Sequence, residues 1–204
     1  MRNNFMYDFD AGDLSLDFAN TKNWHASAAP EEYLHSYADL LDWGEQAGLV
    51  THESVIRLNQ FANERPEESQ TTYDLAIQIR ETIYRIFSHH YAGEPIPEAD
   101  LALLNSVVRQ AMSHLKLTTQ GSEFQWEWIP EIEGADLILW SVARAAAALL
   151  TSDKVSRVRE CEDDRGCGYL FIDQSKNHSR RWCSMESCGN RAKARRHYSR
   201  VQAG

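Results

Sequence analysis

The sequence predicts a mostly helical α+β protein: a helical body with an N-terminal strand region and a β-hairpin, followed by a small four-cysteine module at the carboxyl end. Three observations carry that prediction. Apolar residues recur at three- and four-residue steps over several long stretches, the mark of amphipathic helices. Period-two alternation is confined to short segments bounded by turn residues, as strands require. All four cysteines fall in the last quarter of the chain.

The alternating pattern comes first. Leu14, Leu16 and Phe18 are interleaved with Asp13, Ser15 and Asp17, so Phe9 to Thr21 reads as a strand preceded by a turn at Gly12. Beyond a polar loop from Trp24 to Glu31, Tyr37, Leu40, Leu41 and Ala47 share one helical face, and Gly48 supplies the stop. Thr51 is a natural cap for a second helix carrying Val55, Leu58, Phe61 and Ala62, which ends before Pro66. Residues 71–91 predict the longest helix, with Ala76, Ile79, Ile83, Ile86 and Phe87 on a broad core-facing stripe. The stretch Gly93-Glu94-Pro95-Ile96-Pro97 closes it. A further helix starts at Glu98, carries Leu101, Leu104, Val107 and Val108, and fades near Leu115. Leu115 and Leu117 then face Phe124, Trp126 and Trp128 across Gln120-Gly121-Ser122, which predicts a hairpin. Leu137 to Leu150 is apolar nearly all round and reads as a central helix.

Composition sets the class. A chain of 204 residues with 43% apolar content can bury a sizeable core without disulfide staples. No stretch approaches the roughly 18 consecutive apolar residues of a membrane span. The opening Met1-Arg2-Asn3-Asn4-Phe5 leads into Asp8 and Asp10 instead of an apolar signal core. A cytoplasmic protein with no membrane partner is expected, and there thiols stay reduced, so four cysteines point to metal. The net charge of −9 is unevenly spread: residues 165–204 hold nine basic against two acidic side chains, +7, and the preceding 164 residues carry −16. A basic binding element on an acidic body is the expectation.

The cysteines form the pattern C-x5-C-x15-C-x4-C at Cys161, Cys167, Cys183 and Cys188. Thiolates are soft ligands suited to Zn²⁺, and a tetrahedral site needs two pairs brought together by a reversal of the chain. Tyr169 to Ile172 reads as a short strand, Asp173 to His178 as a polar turn, and Arg180-Arg181-Trp182 as the return strand. The second pair then opens a helix, an order similar to a treble-clef zinc finger. Gly166 and Gly168 flank Cys167 and allow tight backbone geometry there. Four thiolates leave no position for water, so one structural ion is expected.

The helix after Cys188 carries Arg191, Lys193, Arg195, Arg196 and Arg200, with Lys176, Arg180 and Arg181 in the same module. Cations gathered this way suit phosphates, and arginine can also take guanine edges, so these eight residues are the candidate contacts to DNA. The plainer alternative is a solvated helix end. In the body, Asp17, Asn20 and Thr21 are candidates for a small-molecule pocket, with Trp24, Trp43 or Trp140 as walls. Side-chain bonds that cap the neighbouring turn are the simpler reading of the same three residues. His89 and His90 are adjacent on a helix and point in different directions. No Gly-rich phosphate loop, nucleophile elbow or paired-histidine signature occurs, so no catalytic residue and no enzyme are expected.

Two stretches resemble a known family. Gly168-Tyr169-Leu170-Phe171-Ile172-Asp173-Gln174-Ser175, Arg180-Arg181-Trp182-Cys183-Ser184-Met185 and Cys188-Gly189-Asn190-Arg191-Ala192-Lys193 are similar to the CGNR zinc finger, named for the tetrapeptide at 188–191. Gly12-Asp13-Leu14-Ser15-Leu16-Asp17-Phe18-Ala19-Asn20-Thr21 resembles the opening of the ABATE domain, the finger's usual partner. The resemblance implies four cysteine ligands to zinc, a DNA-binding finger over residues 156–204, and a body over residues 1–155 that senses an effector. It also implies a role in transcription regulation during bacterial stress. One small finger covers few base pairs, so a homodimer reading two half-sites is expected. The alternative is an adaptor whose finger binds RNA or an acidic protein.

Overall fold

The computed structural model describes residues 5–129 and 134–202, with the backbone alone at 196, 197 and 199–202. Where alternation predicted a strand over Phe9–Thr21, the chain forms a helix, α1, at Leu14–Ala19. Gly12 turns the chain at φ 89°, and the Asp13 carboxylate caps the helix by accepting from the Ser15 N–H at 2.9 Å. Ser15 and Asp17 are buried along with Leu16 and Phe18. The short helix is enclosed on nearly every side, so its alternation encoded no facing. Extended pairing near the amino end is confined to β1 (Lys22–Asn23) and β2 (Glu31–Glu32).

The helices of the body are α2 (Tyr37–Gln46), α3 (His52–Glu64), α4 (Pro66–Ala92), α5 (Glu98–Ser113) and α6 (Asp136–Leu150). Ser36 and Thr51 cap α2 and α3 through their hydroxyls. α4 begins at Pro66, before the predicted start, because proline in a first turn lacks only a donor that the helix would leave unpaired. Gly93 ends it in the left-handed conformation, at φ 70°. α6 is the central helix, packed on α1, α4 and α5 with Ile138, Leu139, Val142, Ala143 and Ala146 buried. Arg80 on α4 is fully buried, and its guanidinium meets both Glu32 oxygens at 2.5 and 2.6 Å and Glu81 at 2.9 Å. β3 (Leu115–Gln120) and β4 (Glu123–Trp128) form the expected hairpin around Gly121.

A tight 3-10 turn at Asp153–Arg157 leads into β5 (Val158–Glu160), which pairs antiparallel with β6 (Leu170–Ile172). Val158, Leu170 and Ile172 complete the core of the body against α1 and α4. The return strand expected at Arg180–Trp182 does not form. β6 takes its partner from upstream instead, and the later stretch is irregular, pinned where the Arg180 N–H donates to Asp173 Oδ2 at 2.8 Å. A π-helical turn at Met185–Gly189 runs into α7 (Asn190–Gln202). Among the described residues no helix is long and apolar enough to cross a membrane.

Candidate metal centre and the helix beside it

Cys161 directly follows β5, Cys167 precedes β6, Cys183 ends the irregular stretch and Cys188 sits in the π-helical turn. Their four sulfurs all lie within 4.8 Å of one another. Cys167 and Cys183 are 3.8 Å apart, Cys183 and Cys188 3.6 Å. A tetrahedral ion with Zn–S bonds of about 2.3 Å requires sulfur separations of about 3.8 Å, so the cluster fits one structural zinc ion. None of the four is in a disulfide. Thiols packed this closely must share protons. Hydrogen bonds from Cys167 and Cys183 draw Cys161 toward thiolate, which in turn pushes Cys167 and Cys183 up. Only a cation at the centre lets all four ionise together.

Beyond the sulfurs this module has little core: buried Phe171, with Trp24, Tyr169 and Trp182 partly buried around it. Much of its support comes from residues 20–27 of the body, beside the α4 hydroxyls of Tyr84, Ser88 and Tyr91 on Glu160 and Glu162. The Asn20 amide clamps β6, accepting from the Leu170 N–H and donating to its carbonyl, both at 2.9 Å. The His25 N–H donates to the Cys167 carbonyl at 3.1 Å. Gly166 and Gly168 adopt φ of 83° and 66°, and a Cβ would meet Ala26 O at 2.6 Å from the first and Tyr84 Oη at 2.6 Å from the second. Glycine is required here both for the left-handed backbone and for the close approach. Trp24 itself sits at φ 52°, rare for a bulky residue, and the guanidiniums of Arg165 and Arg191 lie over its ring at 4.8 and 5.2 Å.

The residue that sequence reading missed is Asp163. It is buried between the first two cysteines and ion-pairs with Arg165 at 3.4 Å, Arg191 at 3.2 Å and Arg195 at 3.2 Å. Burial pushes its carboxyl up, but the Arg165 N–H and the guanidiniums of Arg165, Arg195 and Arg191 outweigh it, and the group is held below the usual carboxylate range. Asp164 also pairs with Arg195. The first turns of α7 are thereby tied to the loop between Cys161 and Cys167. The one available signal was the acidic run Glu160, Glu162, Asp163, Asp164, which stops just short of the basic segment. Counted from Arg159, the module holds ten basic and six acidic side chains, +4.

The tetrapeptide at 188–191 now has a physical account. Cys188 brings its sulfur to the cluster. A Cβ on Gly189 would meet Met185 Sδ at 2.8 Å. Asn190 donates to the Glu186 carbonyl at 3.2 Å. Arg191 donates to Cys188 Sγ at 2.8 Å, easing the charge on the thiolate.

The eight candidate DNA contacts divide accordingly. Lys176 and Lys193 are exposed. Arg181 pairs with Glu162 at 2.6 Å. Arg180 lies over the Phe171 ring at 4.5 Å and donates to the carbonyls of Trp182 and Cys183. Arg191 and Arg195 face Asp163. The side chains of Arg196 and Arg200 lie outside the described residues.

Asp17 and Thr21 bond to nearby backbone, whereas the Asn20 side chain is spent on Leu170 of β6. Asp17 Oδ1 accepts from the Ala11 N–H at 2.9 Å, and the Thr21 hydroxyl donates to Phe18 O at 2.8 Å. All three also line a cleft of about 900 Å³ between the body and the cysteine module, with Tyr7, Trp24, Tyr33, Cys183 and Arg191 among its other walls. Trp43 and Trp140 are core residues instead. Burial, with Asp8, Asp13 and Asp10 nearby, raises the Asp17 carboxyl from 3.8 to about 7 against the opposing Ala11 N–H. Its protonated form favours folding; that contribution is full below 3.8 and lost as pH rises through 7. Asp17→Asn keeps the Ala11 bond without the charge. It is expected to gain about 1–3 kcal/mol at pH 8 and almost nothing at pH 4, measured by urea unfolding. A gain independent of pH would refute it.

Residues 12–153 match the ABATE family, described as "Putative stress-induced transcription regulator", and residues 157–201 match the CGNR zinc finger. No curated protein is similar enough to this chain to count as a match. With a match over more than half its length and a four-sulfur cluster where the finger's metal belongs, the chain belongs to the ABATE family of regulators and carries a CGNR zinc finger.

Proposed function

We propose that this protein is a zinc-dependent transcription regulator that binds duplex DNA through α7 and the adjoining loop. Cys161, Cys167, Cys183 and Cys188 hold one structural zinc, residues 156–204 act as the finger, and residues 1–155 sense a small molecule. The observation that carries the reading is a basic helix fixed at its first turn to the metal cluster, through Arg191 on Cys188 and Asp163. A rigid base lets the outward cations meet phosphates at little ordering cost. Lys176 and Lys193 make phosphate contacts, with Arg181, Arg196 and Arg200; Arg191 and Arg195 chiefly hold the helix in place, and Arg180 the segment that leads to Cys183. The cleft supports the sensing role, because an effector there touches Asp17 and Asn20 on one side and the Cys183–Cys188 segment on the other. Two copies read two half-sites.

The test is a salt titration. Binding of the zinc-loaded chain to duplex DNA is followed by anisotropy, for wild type and for Lys176→Ala combined with Lys193→Ala. The variant is expected to bind all sequences more weakly, with a slope of log affinity against log salt shallower by about two phosphate contacts at roughly 0.9 each. An unchanged slope defeats the assignment, and tighter binding to RNA than to duplex DNA would favour the adaptor reading.

A further inference from the structure

The β3–β4 hairpin has a burial that contradicts its composition. Its register sets Leu115 opposite Trp128, Leu117 opposite Trp126 and Thr119 opposite Phe124. Side chains alternate along a strand, so these six share one face. Lys116, Thr118, Gln120, Glu123, Gln125 and Glu127 share the other, where Lys116 and Glu127 pair at 3.6 Å. An antiparallel sheet ordinarily turns its apolar face to a core. Here Leu117 is 58%, Phe124 74% and Trp126 51% exposed. Among the described residues the anchoring is at the root, with Trp128 at 6.1 Å from Trp140 and the Ile129 N–H on the His114 carbonyl. Among the described residues the two strands otherwise pack mainly on each other. A lone two-stranded hairpin is marginal in water, and an apolar patch of this kind marks a contact surface.

We infer that this face is the contact between two copies of the chain, the hairpins stacking apolar face on apolar face about a two-fold axis. The proposal deepens the homodimer reading above and places its interface. Charge places a contact between copies on this neutral face. Residues 1–164 carry −16, so two bodies repel over most approaches. The hairpin's apolar face bears no charged side chain, and its charged residues stay in water on the outer face when the two meet. A neutral patch of this shape is complementary to itself, as a two-fold contact requires. Area is consistent as well. Leu117, Phe124 and Trp126 offer roughly 400 Å² between them. That is about half of the roughly 800 Å² per partner of a stable dimer, and partly exposed Leu115 and Trp128 at the root of the same face add to it.

Sedimentation velocity on the zinc-loaded full chain, without DNA, tests this over a wide range of protein concentration. The wild type is expected to dimerise, and Phe124→Glu combined with Trp126→Glu to raise the dissociation constant by about 100-fold or more. A photo-crosslinking benzophenone residue at Phe124 gives a check that does not depend on the charged variant folding. It should yield a covalent dimer whose crosslink maps to the partner's hairpin. A wild type monomeric at every concentration, a dimer indifferent to both glutamates, or a crosslink mapping elsewhere overturns the proposal. Because no nucleic acid is present, its failure leaves the DNA reading to be decided by the salt titration.

Discussion

Replacing Cys188 by serine is expected to strip the chain of its zinc ion and to unfold the module around it. The cluster is one of four sulfurs within 4.8 Å, and a hydroxyl does not replace a thiolate as a soft ligand. A structural zinc is worth on the order of 10–16 kcal/mol apparent at neutral pH, as much as the whole stability of an ordinary domain. Buried Phe171 and its few partly buried neighbours cannot make up that loss. The damage reaches further than the finger, because Val158, Leu170 and Ile172 belong to the core of the body. Elemental analysis should fall from one zinc per chain to near none, helical circular dichroism should drop by the share of α7, and the melting temperature of the whole chain should fall. A chelator should reproduce all three changes in the wild type. Full zinc occupancy in the serine variant would show that the cluster is not the metal site.

Asp163→Ala should act on stability and on DNA binding in opposite directions. The carboxylate is buried and faces three guanidiniums. Breaking a buried pair typically costs about 3–5 kcal/mol. The arginine side chains here are 35–47% exposed and can turn to water, so about 2 kcal/mol is expected. Arg191 keeps Cys188 Sγ and Arg195 keeps Asp164, but the lost carboxylate leaves the base of α7 more positive by one charge. Nonspecific affinity for duplex DNA should therefore rise at low salt, with a slope steeper by about 1. Asp163→Asn should show the same steepening with a smaller loss of stability, since it keeps the side chain's shape. A variant that loses stability and also loses DNA affinity would mean that Asp163 places the helix for binding and does not restrain its charge.

Much of this was legible in the residues. α2 to α6 follow from apolar spacing with Gly48, Thr51 and Gly93 as punctuation, and the β3–β4 hairpin follows from alternation around Gly121. The four cysteines were legible because clustered thiols have few other uses in a reducing compartment. α1 was not, because six residues are too few to separate a period of two from a helix buried on all sides. β5 was missed because Val158-Arg159-Glu160 is three residues long and two of them are charged. The partners of the arginines were missed for a different reason. A count of charges records sign and position along the chain, whereas Asp163 meets Arg195 only once the metal loop and α7 are folded together. Asn20 is the same case: its amide reads as a turn cap until Leu170, 150 positions away, is laid beside it.

That last pairing bears on how the protein is made. Asn20, Trp24 and Ala26 leave the ribosome well before the strand and glycines they cradle, with Leu170 following Asn20 by 150 positions. Until then α1, packed on α4 and α6, lacks the cover of β6, and the nascent body waits with an open seam. The seam closes only after Cys188 is free of the exit tunnel and a metal ion has been captured. Because Leu170 and Ile172 belong to the body's core, a shortage of zinc is expected to leave that seam open and the whole chain more exposed to proteases.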